Sequence, residues 1–220
     1  MKKTILMATS AAAIALAMPT SAQAADLDST MNWYVSAFGG ASFYHEPKLR
    51  TTFVPTTYKF SGNNVGFTAG GAIGVKGIFM PNLRHELEVS YSQLKTKNIK
   101  LGGVFIAPFK FKFSTINVLA NTWYDFDNET AFTPYVGAGA GIGIVTEKPT
   151  NIGPLPKKTS VGFAFQVGAG VKYAIAESID LDVGYRLRGV LSVKHISSFG
   201  PTKKFDLFSH NVQAGVSFRF

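Results

Sequence analysis

The length and composition of this 220-residue chain exclude several classes of protein before any motif is considered. It contains no cysteine, which excludes disulfides, thiol catalysis and thiolate metal sites. The formal net charge is +9, and glycine (22 residues) and phenylalanine (19 residues) are abundant, although the mean hydropathy is only +0.13. This combination suits a barrel in which half of each strand is apolar and half is polar.

The first segment has the three parts of a secretory signal peptide. Two lysines near the start precede an apolar stretch, residues 5–18, and Ala22-Gln23-Ala24 matches an A-x-A cleavage site. The sequence therefore predicts a cleaved signal peptide at residues 1–24 and a single domain at residues 25–220. That domain contains no apolar run of about 18 residues, so it can cross a membrane only as strands.

The predicted domain alternates regularly between strands and connections. Eight strands are predicted, at residues 33–43, 65–79, 83–94, 112–126, 132–145, 161–175 and 179–193, with the last closing at residue 220. The connections are alternately short (80–82, 127–130, 176–178) and long (44–64, 95–111, 146–160, 194–204). Tight periplasmic turns and long extracellular loops alternate in this way in outer-membrane barrels. The pattern predicts an all-β fold, an eight-stranded antiparallel up-and-down transmembrane β-barrel with the long loops outside.

The last strand, residues 205–220, gives the strongest indication of a membrane barrel. Apolar residues occupy nearly every second position and polar residues the positions between, which is the period of a strand. A soluble protein would risk edge-to-edge aggregation with such a strand, whereas a membrane barrel requires its lipid-facing row. An ordinary amphipathic edge strand is the alternative. Phe218 and Phe220 form the candidate signal for the barrel assembly machinery, which would capture the last strand.

Aromatic residues on the apolar face are concentrated near both ends of the predicted strands. They are Trp33, Phe79, Tyr124, Phe126, Phe132, Tyr173 and Phe220 on the turn side, and Phe43, Phe67, Tyr91, Phe163 and Phe208 on the loop side. Two aromatic girdles that bound an apolar band are typical of the two interfaces of a membrane.

Several motifs resemble a known family. Thr-Pro-Tyr-Val-Gly-Ala-Gly at residues 133–139, His-Glu-Leu-Glu at 85–88, Leu-Asp-Val-Gly-Tyr-Arg at 181–186 and the final phenylalanine are similar to outer-membrane β-barrel proteins of the opacity and surface-antigen group. The resemblance covers the whole predicted domain. It implies an eight-stranded barrel in the cell outer membrane of a Gram-negative bacterium, often an antigen or adhesin.

The polar face places charged residues of both signs inside the barrel. They are Lys76, Lys172, Arg186, Arg188 and Arg219 against Glu86, Glu88, Asp180 and Asp182. An eight-stranded barrel has an interior that side chains just fill, so these charges are expected to pair and close the lumen. Glycine rows in the strands at 132–145 and 161–175 give long side chains room to cross. Paired carboxylates acting as acid and base would need a cleft that this cross-section does not offer.

Catalysis and metal binding find little support in the sequence. Lipid A deacylase barrels use a His-Ser pair on the outer wall, but no serine stands at the required spacing from His210. The domain is therefore expected not to be an enzyme. His45, His85 and His195 show no metal-ligand spacing, so neither metal nor cofactor is expected. A haem or metal contact between His45 and His195, at the bases of the first and last loops, stays open.

The predicted loops are strongly basic. Thirteen lysines and arginines face only two acids, Glu46 and Glu147. The candidate binding residues are Lys95, Lys97, Lys100, Phe105, Phe109, Lys157, Lys158, Lys203 and Lys204. Two interpretations stay open: a solvated rim that neutralises lipopolysaccharide phosphates, and a surface that recognises an anionic host ligand. An exported chain without a recognition fold is not expected to bind nucleic acid.

Two functions remain compatible with the sequence. The first is an outer-membrane surface protein whose barrel is a structural platform for adhesive or ligand-binding loops, with outer-membrane lipid and lipopolysaccharide around it. The second is a small porin. The lumen distinguishes them, because conduction needs a hydrated path and the predicted charge network fills that path.

Overall fold

A computed structural model describes residues 32–45, 48–50, 57–61, 65–96, 98–101, 104–107, 111–149, 157–195 and 203–220. Side chains are described for residues 32–45, 65–94, 112–148, 157–191 and 206–220. The predicted signal peptide lies outside these residues and stays a prediction. No helix in the described part of the chain is long and apolar enough to cross a membrane.

The described residues form twelve strands in two sheets. They are β1 Asn32–Tyr44, β2 Lys48–Arg50, β3 Thr57–Ser61, β4 Val65–Lys76, β5 Leu83–Thr96, β6 Asn98–Leu101, β7 Val104–Ala107, β8 Phe111–Asp125, β9 Phe132–Pro149, β10 Lys158–Ala176, β11 Ile179–His195 and β12 Lys203–Arg219. Eight of them close into an antiparallel barrel in the order β1-β12-β11-β10-β9-β8-β5-β4. The predicted eight-stranded antiparallel barrel is confirmed.

The turn after β4 begins earlier than the sequence predicts. The strand ends at Lys76, not at residue 79, because Gly77 adopts a left-handed backbone conformation with φ of 96°. The Gly77 N–H still bonds the Leu83 carbonyl oxygen at 3.0 Å, which closes a six-residue turn. Phe79, predicted as the end of a strand, is therefore an exposed turn residue.

The predicted long loops contain more regular structure than expected. The short strands form a second sheet, in the order β2-β3-β6-β7, from the segments that join β1 to β4 and β5 to β8. The β9–β10 hairpin also continues beyond its predicted limits, pairing Lys158 with Glu147. Pairing satisfies backbone groups that a bare loop would leave to water. Crossing a membrane takes only about 9–11 residues, so the longer strands extend past it on the loop side.

The barrel is polar inside and apolar outside. On β12, Ser209, Asn211 and Gln213 are buried, whereas the alternate residues Val212 and Phe218 are about half exposed. The same arrangement, with polar residues inside and apolar residues outside, continues around the barrel. It is the reverse of the arrangement in a soluble protein and is typical of a lipid-facing wall. Exposed aromatic residues lie at both ends of this wall, as the sequence predicts: Phe126, Phe132, Tyr173 and Phe220 at the turn end, and Phe43, Phe67 and Phe163 at the loop end.

Candidate functional sites in the lumen and on the loop side

A buried carboxylate organises the turn-side part of the lumen. The Asp125 side chain has no solvent exposure and receives Arg84 Nε at 2.8 and 3.0 Å on its two oxygens. Lys172 Nζ lies 2.8 Å from Asp125 and Lys76 Nζ 3.4 Å from it. Arg84 also pairs with Glu86 at 2.9 Å. Asp127 also accepts from Lys76, at 2.9 Å. Three carboxylates and three cations thus form one network, in which the loss of Asp125 or Arg84 would leave buried charge uncompensated.

A second network fills the lumen around Arg188. Its Nη2 lies 2.7 Å from Glu88 Oε1, its Nε donates to Gln166 Oε1 at 3.0 Å, and its Nη1 donates to Thr68 Oγ1 at 3.0 Å. The other Glu88 oxygen accepts from Gln166 and from Asn121, at 2.7 and 2.9 Å. All three guanidinium nitrogens of this buried arginine therefore have partners on other strands.

Arg186 is held differently from the sequence prediction, which pairs it with a carboxylate. It makes no ion pair among the described contacts, and its guanidinium lies 4.0 Å from the centre of the Trp123 ring. Its Nη2 donates to Tyr135 Oη at 3.0 Å, while its Nε and Nη1 have no hydrogen-bond partner among the described residues. A cavity of about 30 Å³ beside Arg186 is also lined by Glu86 and Asp182. This space has room for about two water molecules, which is less than a solute path would need.

Glycines lie where the largest lumen side chains cross the barrel. A Cβ on Gly168 would lie 2.7 Å from Arg186 Cδ, and one on Gly184 would lie 2.6 Å from Tyr135 Oη. Gly170 also faces the Tyr135 hydroxyl. The glycine rows thus provide the room that these side chains occupy.

An apolar cluster, which we call the apolar plug, fills the inward face at another level. It contains eight buried residues from seven of the eight barrel strands: Tyr44, Leu94, Phe113, Leu119, Val145, Ala164, Val190 and Leu207. A continuous water path through the barrel would have to pass side chains that offer few hydrogen-bonding groups. The structure therefore combines a charged network and an apolar plug in the same lumen.

The remaining predicted lumen residues are less central. Asp180 pairs with Arg219 at 3.1 Å, but the Arg219 side chain is 41% exposed at the turn end of the barrel. Asp182 stands opposite Lys172 in the β10–β11 register. Sequence reasoning missed Arg84 and Asp125, although extending the strict alternation to the strand ends would have placed both inside.

The outer wall carries two histidines with polar partners. His210 Nδ1 and the Tyr185 hydroxyl hydrogen bond to each other, and His85 Nδ1 lies 3.1 Å from Thr122 Oγ1. No three His, Cys, Asp or Glu side chains are grouped to hold a metal ion among those the structure describes. The side chain of His195 lies outside the described residues, so its open pairing with His45 stays a prediction.

The candidate assembly signal lies at the seam where the barrel closes. Phe218 and Phe220 are exposed on the outer wall, Phe220 at 74%. The Phe220 N–H bonds the Trp33 carbonyl oxygen at 3.0 Å, which continues the β1–β12 pairing to the end of the chain.

The candidate binding residues of the loops are distributed over several strands. Lys157 is exposed and Lys158 half-buried, whereas Lys95, Lys100, Phe105, Lys203 and Lys204 are placed by backbone register only. Lys97 and Phe109 lie outside the described residues. The small sheet therefore contributes two of these residues and the barrel strands four, with Lys157 directly before β10.

The register places lysines directly opposite one another. The opposed pairs in the described strands are Lys48–Lys59, Lys59–Lys100, Lys95–Lys112, Lys112–Lys148 and Lys194–Lys204. Two rows of three result. We call Lys48, Lys59 and Lys100, in the small sheet, the sheet lysines. We call Lys95, Lys112 and Lys148, in the barrel strands, the wall lysines.

The fold and its lipid-facing wall define the class, a transmembrane β-barrel with a filled lumen. The chain belongs to the outer membrane protein beta-barrel domain family, which it matches over residues 8–220. The predicted resemblance and the outer-membrane location are confirmed.

Individual relatives agree with this assignment. A Rickettsia conorii protein named "Putative adhesin" is 29% identical over 208 residues, covering 84% of this chain and 81% of that protein. Outer membrane protein PagN of Salmonella typhimurium is 36% identical over 74 residues, 31% of each chain. The crystal structure of Neisserial surface protein A matches with a TM-score of 0.56 and 23% identity, covering 86% of this chain and 97% of that one. This last likeness concerns the fold.

Proposed function

We propose that this outer-membrane barrel is a surface adhesin whose basic loops bind a polyanionic ligand. The observation that carries the proposal is the row of sheet lysines, in which Lys59 stands directly opposite both Lys48 and Lys100. Neighbouring strands are about 4.8 Å apart, so the backbone positions of the three lysines span about 10 Å.

Such a row is unfavourable without a counter-charge. Like charges directly opposite each other on a sheet destabilise the pairing. An anionic polymer that crosses the strands would remove this repulsion and gain charge-assisted hydrogen bonds. The sheet lysines therefore favour a linear polyanion over a single small anion.

The name of the Rickettsia relative supports the adhesive role, because that protein matches most of this chain. The row of opposed lysines favours a ligand-binding surface over a rim that only neutralises lipopolysaccharide. Binding through loops also leaves the barrel free to act as a rigid platform.

Conduction and catalysis are less well supported. The Arg188 network and the apolar plug occupy the lumen that a porin would need open. We therefore expect purified protein in a planar bilayer to show no large, stable single-channel conductance, and such conductance would favour the porin instead. On the outer wall, His210 is bonded to Tyr185 and not to a serine, which favours a non-catalytic role.

The experiment compares two triple variants that remove the same charge. Lys48→Gln/Lys59→Gln/Lys100→Gln removes the sheet lysines, whereas Lys157→Gln/Lys203→Gln/Lys204→Gln removes three other loop-side cations. Heparin serves as the probe, immobilised and offered to folded barrel at 0.15 M salt. We expect the first variant to lose at least about tenfold in affinity and the second to lose clearly less. Equal losses would assign the binding to net charge and contradict the role of the row.

A further inference from the structure

The outer wall over β5, β8, β9 and β10 changes character in three successive rows toward the loop end. The first row is apolar. It joins residues that stand opposite one another in register: Tyr91, Ile116, Ile144 and Val161. Ile116 and Val161 are exposed, and Tyr91 and Ile144 are partly exposed. This row is suited to hydrocarbon, with the tyrosine at its edge.

The second row, two residues further along each strand, is polar and uncharged. Its members are Gln93, Ser114, Thr146 and Thr159. They are linked by hydrogen bonds: Tyr91 Oη donates to Ser114 Oγ at 3.2 Å, Gln93 Nε2 donates to Tyr91 Oη at 2.7 Å, and the hydroxyls of Thr146 and Thr159 lie 3.2 Å apart. Such a band satisfies its own polar groups where the wall leaves the apolar region.

The third row consists of the wall lysines. Lys112 stands opposite both Lys95 and Lys148, and the alternation along β8 and β9 places this row on the outward face, not over the lumen. Lys148 is exposed and Lys112 half-buried. Lys112 and Lys148 thus face the side of the barrel, and Lys95 stands opposite Lys112 in the backbone register.

The spacing of the rows fits the layers of a membrane. Two residues of a strand span about 6.8 Å, so the lysine row begins about 14 Å along the strands from the apolar row. With a strand tilt of about 40°, this distance corresponds to a height of about 10 Å above the apolar row, measured along the membrane normal. A headgroup layer is about 5–8 Å thick on each side of the hydrocarbon core, so the backbone of the lysine row lies just beyond it, and long lysine side chains can extend back to the phosphates.

The wall formed by β11 and β12 carries fewer cations than this row. On β12 the outward residues toward the loop end are His210, Phe208 and Asp206, and on β11 they are Leu187, Gly189 and Leu191. None of these six described residues is a lysine or arginine. The next position in the same alternation on β12 is Lys204, which stands opposite Lys194, so β11 and β12 end in one opposed pair, whereas β5, β8 and β9 carry a row of three.

We propose that the wall lysines bind the phosphates of a glycolipid of the outer leaflet, with its acyl chains against the apolar row. The proposal goes beyond polyanion binding by the loops, because it concerns other residues that face sideways into the membrane. Since Lys95 and Lys148 flank Lys112 at about 5 Å on either side, two phosphates about 10 Å apart can be held at once.

The test measures lipid retention by folded barrel in native mass spectrometry after incubation with bisphosphorylated lipid A. The variant Lys95→Gln/Lys112→Gln/Lys148→Gln removes the wall lysines, and the corresponding triple arginine variant keeps the charge. We expect the glutamine variant to lose at least about tenfold in retained lipid A, and the arginine variant to resemble wild type. Dephosphorylated lipid A should bind wild type no better than it binds the glutamine variant.

The sheet-lysine variant Lys48→Gln/Lys59→Gln/Lys100→Gln separates this proposal from the proposed function. It should retain lipid A at the wild-type level even though it loses heparin. Equal lipid A retention by wild type and the wall-lysine variant would overturn the proposal, as would equal binding of dephosphorylated and bisphosphorylated lipid A by wild type. Equal loss in the sheet-lysine variant would also overturn it.

Discussion

Arg188 on β11 and Glu88 on β5 meet at 2.7 Å inside the lumen, although one hundred residues separate them in sequence. Both side chains are almost completely buried, and the pair joins strands that are not neighbours in the barrel. The pair therefore ties opposite parts of the wall together and fills the space between them.

Replacing one member of this pair should destabilise the barrel much more than replacing both members. We expect Arg188→Gln to destabilise the barrel by about 3–5 kcal/mol, because Glu88 is left as an unpaired buried charge. The double variant Arg188→Gln/Glu88→Gln should recover most of that loss. Urea unfolding in lipid vesicles, followed by tryptophan fluorescence from Trp33 and the buried Trp123, measures the stability of both variants. A single variant as stable as wild type would contradict the role of the pair.

A second prediction concerns the room that glycine leaves for Tyr135. A methyl group at Gly170 would collide with the Tyr135 hydroxyl and lie 2.7 Å from the Val183 carbonyl oxygen. We expect Gly170→Ala to destabilise the barrel by about 1–3 kcal/mol through overpacking. Gly39→Ala is the matched control, since its nearest neighbour would be an oxygen at 3.8 Å, and it should change stability by less than about 0.5 kcal/mol. Equal unfolding midpoints for the two variants would count against this packing.

The orientation of the barrel can be tested by labelling, because the chain has no native cysteine. Single substitutions Lys157→Cys and Lys203→Cys should react with a membrane-impermeant maleimide on intact cells. Asn128→Cys and Ser178→Cys, in the short turns, should react only after the outer membrane is opened. The reverse pattern would place the turns outside and would also remove the wall lysines from the outer leaflet.

Phe220 is predicted to act during assembly more than in the finished barrel. Its ring is exposed, and its backbone N–H bonds the Trp33 carbonyl oxygen at the seam. Deleting Phe220 should therefore reduce the amount of barrel inserted in cells several-fold while leaving the urea midpoint of refolded protein within about 0.5 kcal/mol. Normal insertion of the deletion variant would exclude an assembly role for this residue.

The alternation of the sequence was sufficient to predict the faces of the strands but not their register. Glu88 and Arg188 could be placed inside from parity alone, whereas their contact depends on the stagger of the closed sheet. The same limit hid the opposed lysines, because the partner of Lys59 is set by how two predicted loops pair. The apolar plug was missed for another reason: inward residues such as Leu119 look like breaks in the polar row until the barrel closes around them.

The most direct test of the account is the salt dependence of heparin binding by the folded wild-type barrel. Exposed charges are screened beyond about 8 Å at 0.15 M salt and beyond about 3 Å at 1 M. We predict tight binding at low salt, a steep fall up to 1 M, and loss of the salt-sensitive part in the sheet-lysine variant. Absence of heparin binding at low salt, or binding that is independent of salt and of the sheet lysines, would contradict the proposed function.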